Sequence, residues 1–221
     1  MGNKSPVQTK SEETKRQLLK AATTAFAYEG FHATSLKKIA QTAGVNQALI
    51  AYHFGNKKGL YLAVFEAIVD KIQANVGSGE TSLQTLLGVD GAARTGPESL
   101  KQALFSIVDT MLELLSSDES REWALLITRE QASPTEAFEV LYEGFMGRLL
   151  DLSTRVIQLL KPDAGENETR LFVILMMGQI LVLRVSRTAV LRHMGWQGYG
   201  EEELTATKRQ LHRNISAWLA A

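Results

Sequence analysis

The sequence predicts an all-α protein in which a small N-terminal three-helix unit is joined by a linking helix to a larger C-terminal helical bundle, about nine helices in all. Three observations predict it. Apolar residues recur at i, i+3, i+4 and i+7 through most of the 221 residues. Glycine, proline and short polar residues punctuate the pattern at helix-like intervals. No stretch alternates apolar and polar residues for long enough to make a strand.

The elements follow in order. Residues 12–29 place Leu18, Ala22, Ala25 and Phe26 on one face, with Ser11 as the expected N-cap, Glu12 and Glu13 in the first turn and Gly30 as the stop. Thr34 or Ser35 caps a short second helix whose inner stripe is Leu36, Ile39, Ala40 and Ala43, and Gly44 breaks it. A third, about 46–53, is anchored by Val45, Ile50 and Phe54. The fourth starts near Asn56 and carries Leu60, Val64, Ile68 and Ile72. From Val76 to Gly96 five glycines predict a loop. Pro97 opens a fifth helix with Leu100, Leu104, Ile107, Val108, Met111 and Leu115, and a sixth covers about 120–131. Ser133-Pro134-Thr135-Glu136 reads as a capping box that opens a long helix ending at Pro162. Residues 167–193 and 201–219 complete the bundle. The expected division is 1–55, with a disordered start of about ten residues, and 56–221.

Composition narrows the function. There is no cysteine, so no disulfide framework, thiolate metal site or cysteine nucleophile. The polar start lacks the apolar core of a signal peptide. The longest apolar run, Leu171 to Leu183, contains Gly178 and Gln179 and is followed by Arg184 and Arg187, too short and too polar to span a bilayer. A cytoplasmic protein with no membrane partner is expected. The net charge of zero conceals an asymmetry: residues 1–60 hold nine Lys/Arg against three Glu, a net +6, and the remainder is −6. A basic head on an acidic body predicts that the head alone meets a polyanion.

Thr34 to Lys57 carries the function. Two short helices around a glycine turn, the second rich in small and amide side chains, fit a helix-turn-helix. Leu36, Ile39 and Ala40 pack inward and hold the second helix at a fixed angle. That helix buries Ile50 and Phe54 and leaves 46–49 and 52–53 for the major groove. Asn46 and Gln47 can bond an adenine edge through both amide atoms, and Ala48 or Leu49 can meet a thymine methyl. Lys37, Tyr52, His53 and Lys57 stand where phosphates would run, with the Thr34-Ser35 cap beside them, and phosphate contacts set register rather than sequence. Three small helices packed as an ordinary core would share the periodicity, with solvated amides on the outer face.

The segment resembles the DNA-binding domain of the TetR/AcrR family of bacterial repressors. Phe26 and Gly30, Thr34-Ser35, Ile39-Ala40, Ala43-Gly44-Val45, His53-Phe54, Lys57 and Leu60 stand in the family's order and spacing over about residues 12–75. The resemblance implies phosphate contacts from Thr34, Tyr52, His53 and Lys57, and positions near base edges for Lys37, Asn46, Gln47 and Ala48. Two departures stand out. Ala48 and Ile50-Ala51 replace the common Gly and Leu-Tyr, leaving Tyr52 as the nearest aromatic. Further along, Arg129-Glu130-Gln131 before Ser133-Pro134-Thr135, and Gly178-Gln179 before Arg184 and Arg187, are similar to the CecR-like subgroup.

The resemblance implies that the body senses a small molecule and forms a homodimer, and that operator DNA is the partner of the head. Leu204, Leu211, Ile215 and Trp218 make a seam fit for a partner helix, beside the apolar helix 167–193; closing the bundle internally would use the same residues. Met111, Trp123, Ile127, Phe138, Tyr142, Met146, Met176 and Met177 could wall a pocket for an unidentified effector, or simply form core. Arg184 and Arg187 need anionic partners if buried, with Glu130 or Glu143 preferred over an acidic ligand. Neither a cofactor nor a metal is expected. A helical hydrolase is the chief rival class, but His32, His53, His193 and His212 form no HExxH pair, and no GxSxG or phosphate-binding loop is present. Asp109 and Glu113 lie at i, i+4, as a solvated pair would. A module that binds only protein is the third reading, separable by its indifference to DNA. Repression relieved by ligand is expected, with activation left open.

Overall fold

A computed structural model describes the backbone of residues 6–87 and 96–221 and the side chains of 10–76 and 96–221. Among the described residues every regular element is helical. These are α1 (Pro6–Ala33), α2 (Leu36–Ala43), α3 (Ala48–Phe54), α4 (Lys57–Leu87), α5 (Pro97–Ser116), α6 (Arg121–Ala132), α7 (Glu136–Leu141), a π turn (Tyr142–Met146), α8 (Gly147–Leu160), α9 (Glu166–Val185), α10 (Arg187–Met194) and α11 (Glu201–Ala220). Two long helices of the sequence reading are each divided. The π turn separates α7 from α8, and a bend of 84° at Ser186 separates α9 from α10.

Several boundaries differ from expectation. α1 begins at Pro6, so Ser11 lies inside the helix, and residues 6–10 are helical. Gly30 kinks α1 at φ 81° rather than ending it, and helix resumes to Ala33. α4 continues through Gly77 and Gly79 to Leu87. Glycine weakens a helix by about 1 kcal/mol relative to alanine, but it does not terminate one by itself. The rest of the expected loop, 88–95, lies outside the described residues, as does the start, 1–5. The capping box gives way to a simple cap: Thr135 Oγ1 accepts from the Ala137 amide at 3.2 Å, and Pro134 precedes the helix.

The chain forms two compact units, and their limits differ from the expected 1–55 and 56–221. Unit 1 is residues 1–70 with 125–144; unit 2 is 71–124 with 145–221. In unit 1, Leu18, Ala22, Phe26, Ile39, Ile50, Leu60, Val64 and Phe65 are fully buried. Phe26 meets Tyr61 edge-on with centroids 5.0 Å apart. Each of the larger side chains contributes about 1.5–3 kcal/mol by leaving water. The α6–α7 segment of unit 1 is held by polar contacts. Tyr61 Oη donates to Glu130 Oε1 at 2.8 Å, and Thr135 donates from its amide and hydroxyl to Glu130 Oε2 at 2.8 and 2.9 Å. Arg129 Nη1 donates to the Phe26 carbonyl at 3.3 Å. At Gly144 a Cβ would stand 2.9 Å from Val69 Cγ1, so the π turn approaches α4 closely.

In unit 2, α5, α8, α9 and α11 pack together around Leu104, Leu112, Val156, Ile157, Val173, Met176 and Ile180. Asp109 and Glu113 are not a solvated pair. His212 Nε2 bonds Asp109 Oδ1 at 2.8 Å, and Lys208 bonds Glu113 Oε1 at 2.5 Å, tying α11 to α5. Among the described residues no single helix is long and apolar enough to cross a membrane, and no group of three or more His, Asp or Glu is placed to hold a metal.

Candidate nucleic-acid interface

The turn between α2 and α3 is set by Gly44, at φ 67°. Its amide donates to Gln41 at 3.1 Å, and the Val45 amide reaches back to Ala40 at 3.0 Å, which satisfies the last carbonyls of α2. A left-handed backbone here favours glycine, as the sequence provides. α3 then starts under a side-chain cap: Asn46 Oδ1 accepts from the Ala48 amide at 2.8 Å. The junction after α3 is equally fixed. Asn56 Oδ1 accepts from the Gly59 amide at 2.9 Å, and a Cβ on Gly59 would stand 2.0 Å from the Phe54 carbonyl oxygen.

The expected contact residues are placed unequally by this frame. Ser35, Lys37, Asn46, Gln47, Ala48 and Tyr52 are exposed, Tyr52 at 78%, while Leu49, His53 and Lys57 are half-buried. Ser35 caps α2 without using its hydroxyl, which leaves that group available. Thr34 is a correction. It is 3% exposed and its hydroxyl bonds the Gly30 carbonyl at 2.6 Å, so its side chain secures the end of α1 and cannot reach a phosphate. Asn46 is a partial correction. Because its oxygen is held by the Ala48 amide, only the nitrogen remains for a base, and a two-atom adenine contact falls to Gln47. Lys57 Nζ donates to the His32 carbonyl at 3.2 Å and lies 4.9 Å from the Phe31 centroid, which aims the ammonium from the start of α4. Lys38, which the sequence reading did not select, pairs with Glu29.

The sensor candidates are divided between the two units. Ile127, Phe138 and Tyr142 belong to unit 1, where Phe138 and Tyr142 stack at 5.9 Å. Met111, Trp123, Met146, Met176 and Met177 belong to unit 2, with Met111, Trp123 and Met176 in the core and Lys71 Nζ 4.9 Å from the Trp123 centroid. A cavity of about 580 Å³ in unit 1 is lined instead by Phe31, Lys58, Tyr61, Arg129, Glu130 and Glu136 among others. Here Lys58 holds the Glu136 carboxyl below its usual range, chiefly by hydrogen bonding at 2.6 Å. Burial, reinforced by the bond to Glu130, raises the Tyr61 hydroxyl well above its ordinary value.

Unit 2 places the remaining candidates as follows. Leu211 and Ile215 are 4% and 1% exposed, Trp218 stacks on Phe172 at 3.9 Å, and Leu204 and Trp218 are half-buried, so at least Leu211 and Ile215 pack within the chain's own bundle, the alternative the sequence left open. The apolar surface lies on α9, where Leu171, Ile174, Leu175, Leu181, Val182 and Val185 are exposed on one stripe. Arg184 was expected to meet an acid; within unit 2 its guanidinium bonds the Ser117 carbonyl and Ser120 Oγ, because it reaches the C-terminal end of α5. What the sequence could not reveal is the role of Arg129 and Glu130. The motif was visible, but its partners Phe26, Tyr61 and Thr135 are brought together only by folding.

Comparison with known proteins gives two family matches. Residues 18–64 match a family described as "Bacterial regulatory proteins, tetR family", and residues 100–221 match "HTH-type transcriptional dual regulator CecR, C-terminal domain". The HTH-type transcriptional dual regulator CecR of Shigella flexneri is 30% identical over 202 residues, 91% of this chain and 89% of that protein. Two solved structures share the fold. The transcriptional regulator FadR of Bacillus subtilis, in complex with stearoyl-CoA, has a TM-score of 0.61 at 16% identity, covering 90% of this chain and 95% of that one. AibR, in complex with isovaleryl coenzyme A and operator DNA, has a TM-score of 0.61 at 14% identity, covering 91% and 95%.

Proposed function

Because the chain belongs to the TetR family of bacterial regulatory proteins, with a C-terminal domain of the CecR type, it is a transcriptional regulator, and we propose that it acts in the cytoplasm as a homodimeric repressor released from a palindromic operator by a small-molecule effector. The observation that carries the reading is the outer face of α2 and α3. There Lys37, Gln47 and Tyr52 are exposed and their side chains make no hydrogen bond among the described residues, while Gly44, Asn46 and Asn56 fix the backbone that presents them. Gln47 is the base reader, with Ala48 and Leu49 for apolar contact; Ser35, Lys37, Tyr52, His53 and Lys57 hold phosphates.

Support for the dimer comes from α9. Six exposed apolar side chains on one helical stripe exceed what a free surface needs and suit a two-fold contact with a second copy. Two heads carried on such a dimer would read half-sites about 34–36 Å apart or a multiple of that. The effector is proposed to bind the body, as the acyl-coenzyme A thioesters accompany the two regulators of the same fold. It acts by preferring a state in which the heads no longer match the half-sites.

The test is operator binding by footprinting and salt titration, with promoter-reporter output to read the sign of regulation. Gln47→Ala should cost about 1–3 kcal/mol of discrimination at one base position in each half-site. Lys37→Ala should weaken all sequences alike and lower the salt slope by about 1 per head. Indifference of DNA binding to both substitutions refutes the placement of α3 in the groove.

A further inference from the structure

At the corner between α9 and α10, unit 2 buries positive charge that no ion pair among the described residues matches. Arg184 is 8% exposed. Its Nη2 donates to the Ser117 carbonyl and to Ser120 Oγ, the latter at 2.5 Å, yet its Nε is buried without a partner. Arg187 Nε is a second buried donor without a partner, and the Arg187 guanidinium lies 5.1 Å from the Tyr199 ring centroid. Tyr199 Oη donates to the Leu183 carbonyl at 2.6 Å, which holds that ring in place. Ser116 Oγ, at the end of α5, is also buried without a partner.

The electrostatics agree with the geometry. Burial first, then the charges of Arg187 and Arg121, lowers the Arg184 pKa, while Asp118 and Tyr199 act in the opposite direction. Asp118 is near enough for its charge to act on Arg184, yet among the described residues it forms no ion pair with Arg121, Arg184 or Arg187. Buried donors without partners are uncommon in folded proteins, and each calls for a missing acceptor. A guanidinium fork matches the paired oxygens of a carboxylate or phosphate.

We propose that Arg184 and Arg187 form an oxyanion site that receives the carboxylate or phosphate group of the effector. The proposal rests on the reading of the chain as an effector-released regulator, and it names the chemistry that the effector must carry. Arg184 is already oriented by Ser117 and Ser120, and Arg187 by Tyr199, so both nitrogens are placed before the anion arrives.

The experiment uses the full chain at constant ionic strength in chloride. Thermal melting is followed with inorganic phosphate, with benzoate, and with benzamide as the uncharged counterpart of benzoate. At a hundredfold excess over Kd a bound anion should raise the Tm by about 5 °C or more. Phosphate alone, or benzoate alone, identifies which oxyanion the corner prefers. Benzamide should do nothing. Arg187→Gln should abolish most of the shift. Arg184→Met should do the same, but it also removes the contacts to α5, so the half-buried Arg187 supplies the deciding variant. A melting curve blind to both anions, or an unchanged response in Arg187→Gln, overturns the site. Operator affinity is measured in the same samples. Anion-dependent loss of operator in the wild type and not in Arg187→Gln supports the assignment, whereas a melting shift without any change in operator affinity overturns the link to the effector. Absence of operator binding under every condition would instead overturn the regulator reading, while the melting curves still decide the site.

Discussion

Glu130→Ala should destabilise the protein by about 3 kcal/mol, and the figure follows from who is left without a partner. The carboxylate is 2% exposed and accepts three hydrogen bonds. Thr135 is exposed, so its amide and hydroxyl would turn to water at little cost. Tyr61 is buried, so its hydroxyl would be orphaned, which costs about 1–3 kcal/mol in addition to a lost charge-assisted bond of similar size. For a chain of this length about 3 kcal/mol is roughly 6–12 °C of melting temperature. The assay is a double-mutant cycle with Tyr61→Phe, read by circular dichroism during thermal and urea unfolding. Tyr61→Phe alone should cost about 1–2 kcal/mol, and the pair should couple by at least about 1 kcal/mol. If the two effects add to within about 0.5 kcal/mol, the buried bond does not hold the α6–α7 segment.

Gly59→Ala should lower stability by about 2–4 kcal/mol and weaken operator binding, although helix propensity alone would predict a gain, because the new Cβ would meet the Phe54 carbonyl oxygen; a variant melting at or above wild type refutes this. Alkaline pH should destabilise the fold. Tyr61 and Lys208 both have pKa values raised by folding, the first chiefly by burial and the second chiefly by its bond to Glu113. Their contribution is therefore complete below about pH 10 and is lost as pH rises through the folded values. Urea midpoints taken from pH 8 to 11.5 should fall above 10, and less steeply in Tyr61→Phe. Leu175→Glu, on the exposed stripe of α9, should convert a dimer to a 24.4 kDa monomer by light scattering without lowering the helix content; an unchanged mass places the self-contact elsewhere.

Much of this architecture is legible in the sequence because helices advertise their buried faces. Leu18, Ala22, Phe26, Ile39, Ala40 and Ile50 were all readable as inward-facing, and all are buried. Gly44 was readable as a turn residue because the left-handed backbone there leaves few alternatives. The failures share one cause. Thr34 and Asn46 carry groups suited to an external partner, and each is engaged by a carbonyl or amide of its own chain, while Arg184 meets a carbonyl and a hydroxyl where an acid was expected. Periodicity says which way a side chain points, not whether a backbone group meets it there. The α11 seam is ambiguous for a related reason, since an apolar stripe looks alike whether it faces its own bundle or a second copy. Unit 1 also could not be delimited, because residues 125–144 reach it from half a chain away.

The limits of unit 1 bear on how such a protein can be engineered. The backbone passes from one unit to the other between Asp70 and Lys71 inside α4, between Ala124 and Leu125 inside α6, and between Gly144 and Phe145 inside the π turn. None of these is a connector that could be cut and spliced. A transplant of the first 55 residues onto a foreign body would leave behind Tyr61, Val69, Arg129, Glu130 and Gly144. The recipient would then carry the right recognition helix on an unfinished support. A working chimera has to exchange two stretches of chain together, 1–70 and 125–144, with all three crossings remade inside helical turns.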